Sequence, residues 1–525
     1  MRIRPFADRA LLLETTPEDV LGLHEALRRA ALPEVEELVP AARTLLLRLR
    51  PGSEPARLAE RLRALPRGES AAAEAGTVRL PVRYDGEDLA ALAALLGVPP
   101  AELAARHAAA AWRVAFLGFA PGFAYLRCED PLFRVPRLPE PRTRVPAGSV
   151  ALAGPYSGVY PRASPGGWRL IGRSEARLWD AERDPPALLQ PGCRVRFTPL
   201  PRESLRLSGA AAEPEDEAVR GAAAEPDGGR PGGGLELLRP GLQVLVQDLG
   251  RPGYAATGAG RSGAADLGAL RAANRLLGNE PQAAALEIVG GAELAVLGRC
   301  LAALSGAVAD AVVEEGGEER EIPRGRPFLL RPGELLRIAP ARRGLRSYLA
   351  LRGGVDARPV LGSRSSDTLS GLGPPPLRAG DRVPIGPRPR AAVQPQEALP
   401  DPPAPGDVVE VGLLPGPRAD RLAPPGLSAL MGAPWTVTAD SDRIGLRLGG
   451  RDPLAPPRGG ELESEGVVAG AVQLPPGGRP VVFLADHPVT GGYPVVGAVP
   501  SGRLDLLGQL PPGALVRFVP AGPPR

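Results

Sequence analysis

The sequence predicts a mainly β protein fronted by a small α/β subdomain, and three observations carry that prediction. Glycine and proline number 67 and 65 among 525 residues with no Gly-X-Y period, a composition of many short strands joined by tight turns. Helical patterns crowd into residues 1–105 and fade afterwards. Two segments also recur in the same order. Val145-Pro-Ala-Gly-Ser-Val150 returns as Val467-Val-Ala-Gly-Ala-Val472, and Pro191-Gly-Cys-Arg-Val-Arg-Phe197 returns as Pro512-Gly-Ala-Leu-Val-Arg-Phe518. Matched order and near-matched spacing predict one β fold used twice.

Along the chain, the short apolar runs Ala10–Glu14 and Thr44–Leu49 predict strands. Thr16-Pro-Glu-Asp19 opens a helix reaching Arg29, with proline in the first turn and carboxylates at the positive end. Leu58–Leu65 and Leu89–Leu96 predict helices and Val78–Tyr84 a strand, so residues 1–105 form a small α/β unit with helices on one face of a sheet. Over 106–202, apolar runs separated by Pro-Gly, Ser-Gly and Gly-Gly turns predict an all-β barrel or sandwich. Residues 203–234 lose apolar periodicity and are rich in Ala, Glu, Pro and Gly, the composition of a flexible linker. Residues 235–525 return to short strands, with one helix over Ala265–Leu277 closed by Gly278-Asn279. A proline-dense stretch near 387–407 divides this part into two β subdomains.

The composition removes several functions. The chain has no lysine, so all 63 basic residues are arginine. A lysine Schiff base, a Walker-type phosphate loop and covalently attached biotin are therefore excluded on this chain. A net charge of +4 with both signs interspersed argues against nucleic acid as a partner. Cys128, Cys193 and Cys300 are odd in number and far apart, as in reduced cytosolic proteins. His24, His107 and His487 are too scattered for a zinc site. The first residues alternate charged and apolar side chains rather than forming a signal peptide, and no apolar run approaches membrane-spanning length. The expectation is a soluble cytoplasmic protein.

Aromatic residues make up only 4% of the chain, yet they concentrate in Phe116-Leu-Gly-Phe-Ala-Pro-Gly-Phe-Ala-Tyr-Leu126. Turn residues and large rings mixed this closely mark a backbone that approaches a ligand or another strand, with rings walling the space. Phe119, Phe123, Tyr125 and Trp168 are the expected walls, with core packing as the alternative. No catalytic triad, metal cluster or dinucleotide fingerprint is visible.

This block begins a resemblance that covers nearly the whole chain outside the linker. Arg113–Leu126, Pro141-Arg-Thr-Arg-Val-Pro-Ala-Gly-Ser-Val150, Gly158-Val-Tyr-Pro161 and Ser164-Pro-Gly-Gly-Trp-Arg-Leu-Ile-Gly172 resemble the B component of bacterial 5-oxoprolinase, also known through the Kip kinase inhibitor. Gln247-Asp-Leu-Gly-Arg-Pro-Gly-Tyr254, Arg261-Ser-Gly-Ala-Ala-Asp266, Leu361-Gly-Ser-Arg-Ser-Ser-Asp367, Ser464-Glu-Gly466 and Leu484-Ala-Asp-His-Pro-Val-Thr-Gly-Gly-Tyr-Pro494 resemble its C component. The same pair of modules is similar to the carboxyltransferase region of urea carboxylase. The resemblance implies tandem cyclophilin-like β-barrel modules in a natural B–C fusion. It implies an ATP-dependent opening of 5-oxo-L-proline to L-glutamate, with Mg²⁺ and a separate A component of the lactam-utilisation type, the fusion acting as one copy or as a homo-oligomer. The other readings are a biotin-dependent urea or amide carboxyltransferase and a Kip-type regulator of a sensor kinase.

Lactams and urea share an N–C=O group deactivated by resonance, and phosphoryl transfer to it needs positioning and positive charge. Without lysine, arginine must supply that charge, through a fork suited to phosphate and carboxylate. Arg142, Arg144, Arg251 and Arg261 are the candidates, with ordinary ion pairs as the alternative. Ser262 and Asp266 stand where a helix N-terminus could hold an anion or simply be capped. Asp248 either ligates Mg²⁺, orients Arg251 or caps its turn. His487 with Asp486 is the acid–base candidate. Gly122, Phe123, Tyr125, Ser164 and Thr490 complete the expected binding surface.

Overall fold

The computed structural model describes residues 1–64, 76–201, 234–459 and 462–522; the expected linker at 203–234 lies almost wholly outside them. The fold is mainly β, as the sequence predicts. The chain opens with an antiparallel four-stranded sheet in the order Arg2–Pro5, Ala10–Glu14, Thr44–Leu49, Val35–Pro40. Leu11, Leu13, Leu45, Leu47 and Leu49 face one side, against Leu27, Leu58 and Leu62 of the helices Asp19–Ala30 and Pro55–Ala64. Phe6, Leu12, Val39 and Leu46 face the other side, and they pack on Val467, Val468, Phe483 and Val489 near the C-terminus. Burial on both faces explains why Ala10–Leu13 is an unbroken apolar run rather than an alternating one.

A seven-stranded sheet follows, in the order Arg169–Arg173, Ser149–Ala153, Tyr156–Val159, Ala124–Arg127, Trp112–Leu117, Arg194–Pro199, Thr77–Val82. Its outer strands are drawn together by reciprocal backbone hydrogen bonds between Arg83 and Arg173. Here the expected boundary at 105 is corrected. Thr77–Val82 pairs in parallel with Arg194–Pro199, and Leu80, Val82, Leu92 and Leu103 join the core of this β unit. The strand and the helices Leu89–Leu96 and Pro100–Ala109 therefore belong to the barrel. Local patterning could not reveal this, because the partner strand lies more than a hundred residues downstream.

Residues 234–384 fold as two packed sheets, one six-stranded and one five-stranded, around Leu286, Leu294, Leu304, Leu336 and Leu349. The helix Leu267–Leu277 covers the outer face of the five-stranded sheet through Leu270, Ala273 and Leu276 against Tyr348 and Ala350. Among the described residues, none between Pro384 and Val408 forms a helix or strand. The last unit is a closed seven-stranded barrel running from Val408–Pro415 to Leu515–Pro520.

The internal echo is a repeated topology. In both barrels the last strand pairs in parallel with the first and antiparallel with a strand that opens on tryptophan. The seven strands follow the same spatial order in each. Trp112 Nε1–H donates to the His107 carbonyl at 2.8 Å, and Trp435 Nε1–H donates to the Leu430 carbonyl at 2.9 Å, five residues upstream in each case.

Candidate active site at the junction of the units

The aromatic block forms a hairpin turn between Trp112–Leu117 and Ala124–Arg127. Phe119 sits in the left-handed region at φ 67° and Gly122 at φ 76°. The side chain at Phe119 tolerates that backbone strain where the hairpin meets the C-terminal half. Gly118 is required by close approach, since a Cβ there would lie 2.1 Å from Thr490 Oγ1. Gly122 N–H donates to the Thr257 carbonyl at 3.0 Å, which ties the turn to the central unit.

A cavity of about 210 Å³ opens at this junction. Phe119, Phe123, Tyr125, Tyr160 and Trp168 wall it from the first barrel, with Gly166, Gly167 and Arg137. Leu462, Ser464, Thr490, Gly491, Gly492 and Tyr493 close it from the last barrel. The rings hold one another edge-on: Phe123 and Trp168 centroids lie 5.2 Å apart, Phe123 and Tyr160 5.1 Å, Tyr125 and Trp168 5.4 Å. Burial pushes the phenols of Tyr125 and Tyr160 upward, so both stay protonated near neutral pH. Tyr125 and Ser464 line the cavity from opposite sides of the interface.

Beside the cavity lies a buried ionic network. Asp486 accepts from Arg443 Nε at 2.9 Å, Ser262 Oγ at 2.6 Å, Thr368 N at 2.9 Å and Thr368 Oγ1 at 2.7 Å. Arg443 also pairs with Glu287, which accepts from Tyr348 Oη at 2.7 Å. Burial works to raise the Asp486 carboxyl, and Arg443 outweighs it, holding Asp486 ionised below its usual range. Asp367, 4.0 Å from Arg251, is raised by burial and by the Asp486 charge. Ser262 reaches Asp486 from a left-handed backbone at φ 54°.

The structure brings Phe119, Phe123, Tyr125, Trp168 and Thr490 together around the cavity and distributes the other sequence candidates elsewhere. Arg142 is tied to Glu87 and Asp88 and reaches the Trp168 carbonyl at 3.4 Å, so it braces the wall from behind. Arg144, expected to be catalytic, is exposed on its strand and does not line the cavity. Ser164 is buried opposite Val145 in the adjacent two-stranded ribbon. The expected His487–Asp486 dyad does not form. His487 Nδ1 faces the Pro488 carbonyl at 2.7 Å and its ring stacks on Phe483, while Asp486 is taken by Arg443. Burial holds His487 down at about 4, leaving it neutral at physiological pH.

The central unit's candidates act as joints. Asp248 accepts from Gly250 N, Ser363 Oγ, Ser365 Oγ and Arg364 N, the contacts of the turn-capping alternative. Arg251 is buried and donates to the Ser365 carbonyl. Arg261 reaches Glu36 of the first sheet at 3.4 Å. The anion expectation at Leu267–Leu277 is corrected. Asp266 caps Ala269 N at 2.8 Å, and Asp505 accepts from Leu267 N at 2.9 Å and Gly268 N at 3.1 Å. Protein carboxylates thus occupy the positive end of that helix. Among the described residues, no group of three or more His, Cys, Asp or Glu is placed to hold a metal ion.

Sequence reasoning overlooked Arg137, Tyr160, Ser464, Tyr493 and Arg443 as site residues. Tyr160, Ser464 and Tyr493 lie inside motifs that stand out in the sequence, whereas Arg137 and Arg443 sit in loops with no pattern of their own.

This architecture of paired seven-stranded barrels is that of a carboxyltransferase-type protein. The profile "carboxyltransferase domain, subdomain C and D" matches residues 1–189, and "carboxyltransferase domain, subdomain A and B" matches residues 257–520. The chain belongs to this family. Its C-terminal half is 35% identical over 294 residues to the C component of 5-oxoprolinase from Escherichia coli, covering 54% of this chain and 90% of that one. Its N-terminal half is 40% identical over 202 residues to the B component from Escherichia coli O157:H7, covering 37% and 93%. Urea amidolyase of Lachancea kluyveri is 30% identical over 315 residues, where the match spans 54% of this chain and 17% of the relative. The crystal structure of TTHA0988 aligns with a TM-score of 0.83 at 39% identity, over 97% of this chain and all of that one.

Proposed function

We propose that the chain is the fused B–C half of an ATP-dependent 5-oxoprolinase, which cleaves the lactam of 5-oxo-L-proline to L-glutamate together with a separate A component. The observation that carries this reading is the composite cavity, whose walls come from the B-like and C-like halves in nearly equal share. A ligand held there needs both halves, and each half matches nearly the full length of one 5-oxoprolinase component. The rings shelter the amide from water, and the hydroxyls of Tyr160, Ser464 and Thr490 line the same space as donors for a carbonyl oxygen that gains charge during the reaction. ATP and Mg²⁺ enter with the assembled complex. The positions first expected to hold them, Asp248 and the Leu267–Leu277 N-terminus, carry protein contacts, so nucleotide handling is not assigned to those residues.

The test is glutamate release from 5-oxo-L-proline, ATP and Mg²⁺. Glutamate is expected from this chain mixed with the A component and from neither protein alone. No glutamate from the mixture, with an A component proven active beside another B–C pair, would refute the assignment. The family description favours a second reading, carboxyl transfer to a urea-like amide. It predicts carboxylation of urea when biotinylated carrier and biotin carboxylase are added, since this chain has no lysine to carry biotin.

A further inference from the structure

Ser464 and Thr490, which line the junction cavity from the last barrel, stand on one small ribbon. Glu465–Gly466 pairs antiparallel with Thr490–Gly491, Gly466 opposite Thr490. Two strands of two residues each are marginal on their own, so the ribbon takes its position from its surroundings. Arg418 supplies the polar support. Its backbone N–H donates to the Val495 carbonyl at 2.9 Å, two residues past the lining residue Tyr493. Its guanidinium grips both carboxylate oxygens of Glu465, Nε to Oε2 at 2.9 Å and Nη2 to Oε1. The third nitrogen, Nη1, reaches Glu14 of the first sheet, and Glu14 also accepts from Arg4 Nε at 2.8 Å. The same sheet supplies the rest of the support. A Cβ on Gly466 would lie 2.7 Å from that of Leu46, and Ala42 N–H donates to the Ser464 carbonyl at 3.1 Å.

The Arg418 and Glu465 side chains are only 12% and 14% exposed, so water screens this chain of charges less than it would a surface pair. A bidentate guanidinium–carboxylate pair fixes orientation as well as distance. Burial works to raise the Glu14 carboxyl, and its bonds to Arg4 and Arg418 outweigh it, keeping Glu14 ionised below its usual range. No residue of the first sheet is among the described lining of the cavity, yet this sheet holds the far end of the clasp. We infer that Arg418 is a positioning residue, which sets where the Ser464 and Thr490 hydroxyls stand by clamping Glu465 to Glu14. Ligand binding then depends on a side chain outside the cavity's described lining. The inference rests on the reading of this cavity as the substrate site, and it adds the first sheet to that site's framework.

The test is calorimetric titration of the full-length chain with 5-oxo-L-proline, which reads affinity and the fraction of binding-competent chain separately. Arg418→Gln is expected to weaken binding by about 3- to 100-fold, the range of couplings within one hydrogen-bonded network, at unchanged stoichiometry. Arg418→Lys keeps the charge without the fork and should recover part of the loss. Glu14→Gln loosens only the first-sheet end and should weaken binding less; it carries the test where Arg418→Gln does not fold. In a chain lacking both hydroxyls, Ser464→Ala with Thr490→Ala, Arg418→Gln should add little, and a full-sized effect there overturns the inference. Lower stoichiometry at wild-type affinity marks a merely structural arginine; it overturns the inference and leaves the cavity assignment standing. Wild-type affinity in folded Arg418→Gln, or in Glu14→Gln where that variant does not fold, does the same. Trp168→Ala removes a wall and tests the cavity itself. Unchanged affinity in a folded Trp168→Ala chain, or no binding by the wild-type chain, overturns the cavity reading and the inference with it.

Discussion

His107 lies sealed among Trp112, Phe133 and Phe197, with Nδ1 2.8 Å from Tyr84 Oη and Nε2 2.8 Å from Ser157 Oγ. Burial holds its pKa near 3 against an ordinary 6.5, so the native state keeps the neutral ring while the unfolded chain protonates. Its stabilising contribution is therefore complete above pH 6.5 and is lost as pH falls from there toward 3. His107→Gln is expected to lower stability at about pH 8 by roughly 1–3 kcal/mol, the loss of buried hydrogen bonds. It should also flatten the acid limb of the unfolding free energy against pH, measured by urea titration. A variant as steep as wild type between about pH 6 and 4 would show that another group controls that limb. Residue types were legible in the sequence at this scale, but their pairings were not. His487 and Asp486 are adjacent in sequence yet turn to different partners, and Arg443, which decides the state of Asp486, lies more than forty residues away.

Gly118 and Thr490 show how one secondary element constrains another. The hairpin carrying Gly118 belongs to the first barrel, the ribbon carrying Thr490 to the last, and they meet with no room for a methyl group between them. Gly118→Ala is expected to destabilise by about 1–3 kcal/mol through overpacking and to weaken ligand binding by shifting Thr490. Thr490→Ala removes the two nearest atoms, so the cost of Gly118→Ala should shrink in that background. A double-mutant cycle by chemical denaturation measures this, and strict additivity would contradict direct contact. Most elements were legible from apolar runs and turn residues, as with Ala10–Glu14, Thr44–Leu49 and Leu89–Leu96. Membership was harder. Thr77–Val82 reads locally like part of the first α/β unit, and only its parallel pairing with Arg194–Pro199 assigns it to the barrel.

Over the whole molecule, the first sheet spends one face on its own helices and the other on the last barrel. Arg418 pairs with Glu14 of that sheet and with Glu465, and Asp8 accepts from Ser501 N at 2.9 Å and Oγ at 2.7 Å. The two halves are thus interlocked rather than strung side by side, and the cavity is a consequence of that interlock. The repeated barrel was legible because its strands carry echoed segments. The docking of one repeat against the other was not, because apolar strand faces look the same whether they meet a helix or a second barrel. Crystals of the full-length chain soaked with 5-oxo-L-proline test the account most directly. The account predicts the lactam between Trp168, Tyr160 and Thr490, in the junction cavity. A ligand seated instead in the separate groove lined by Arg106, Arg113 and Arg127, with the junction cavity empty, would contradict it.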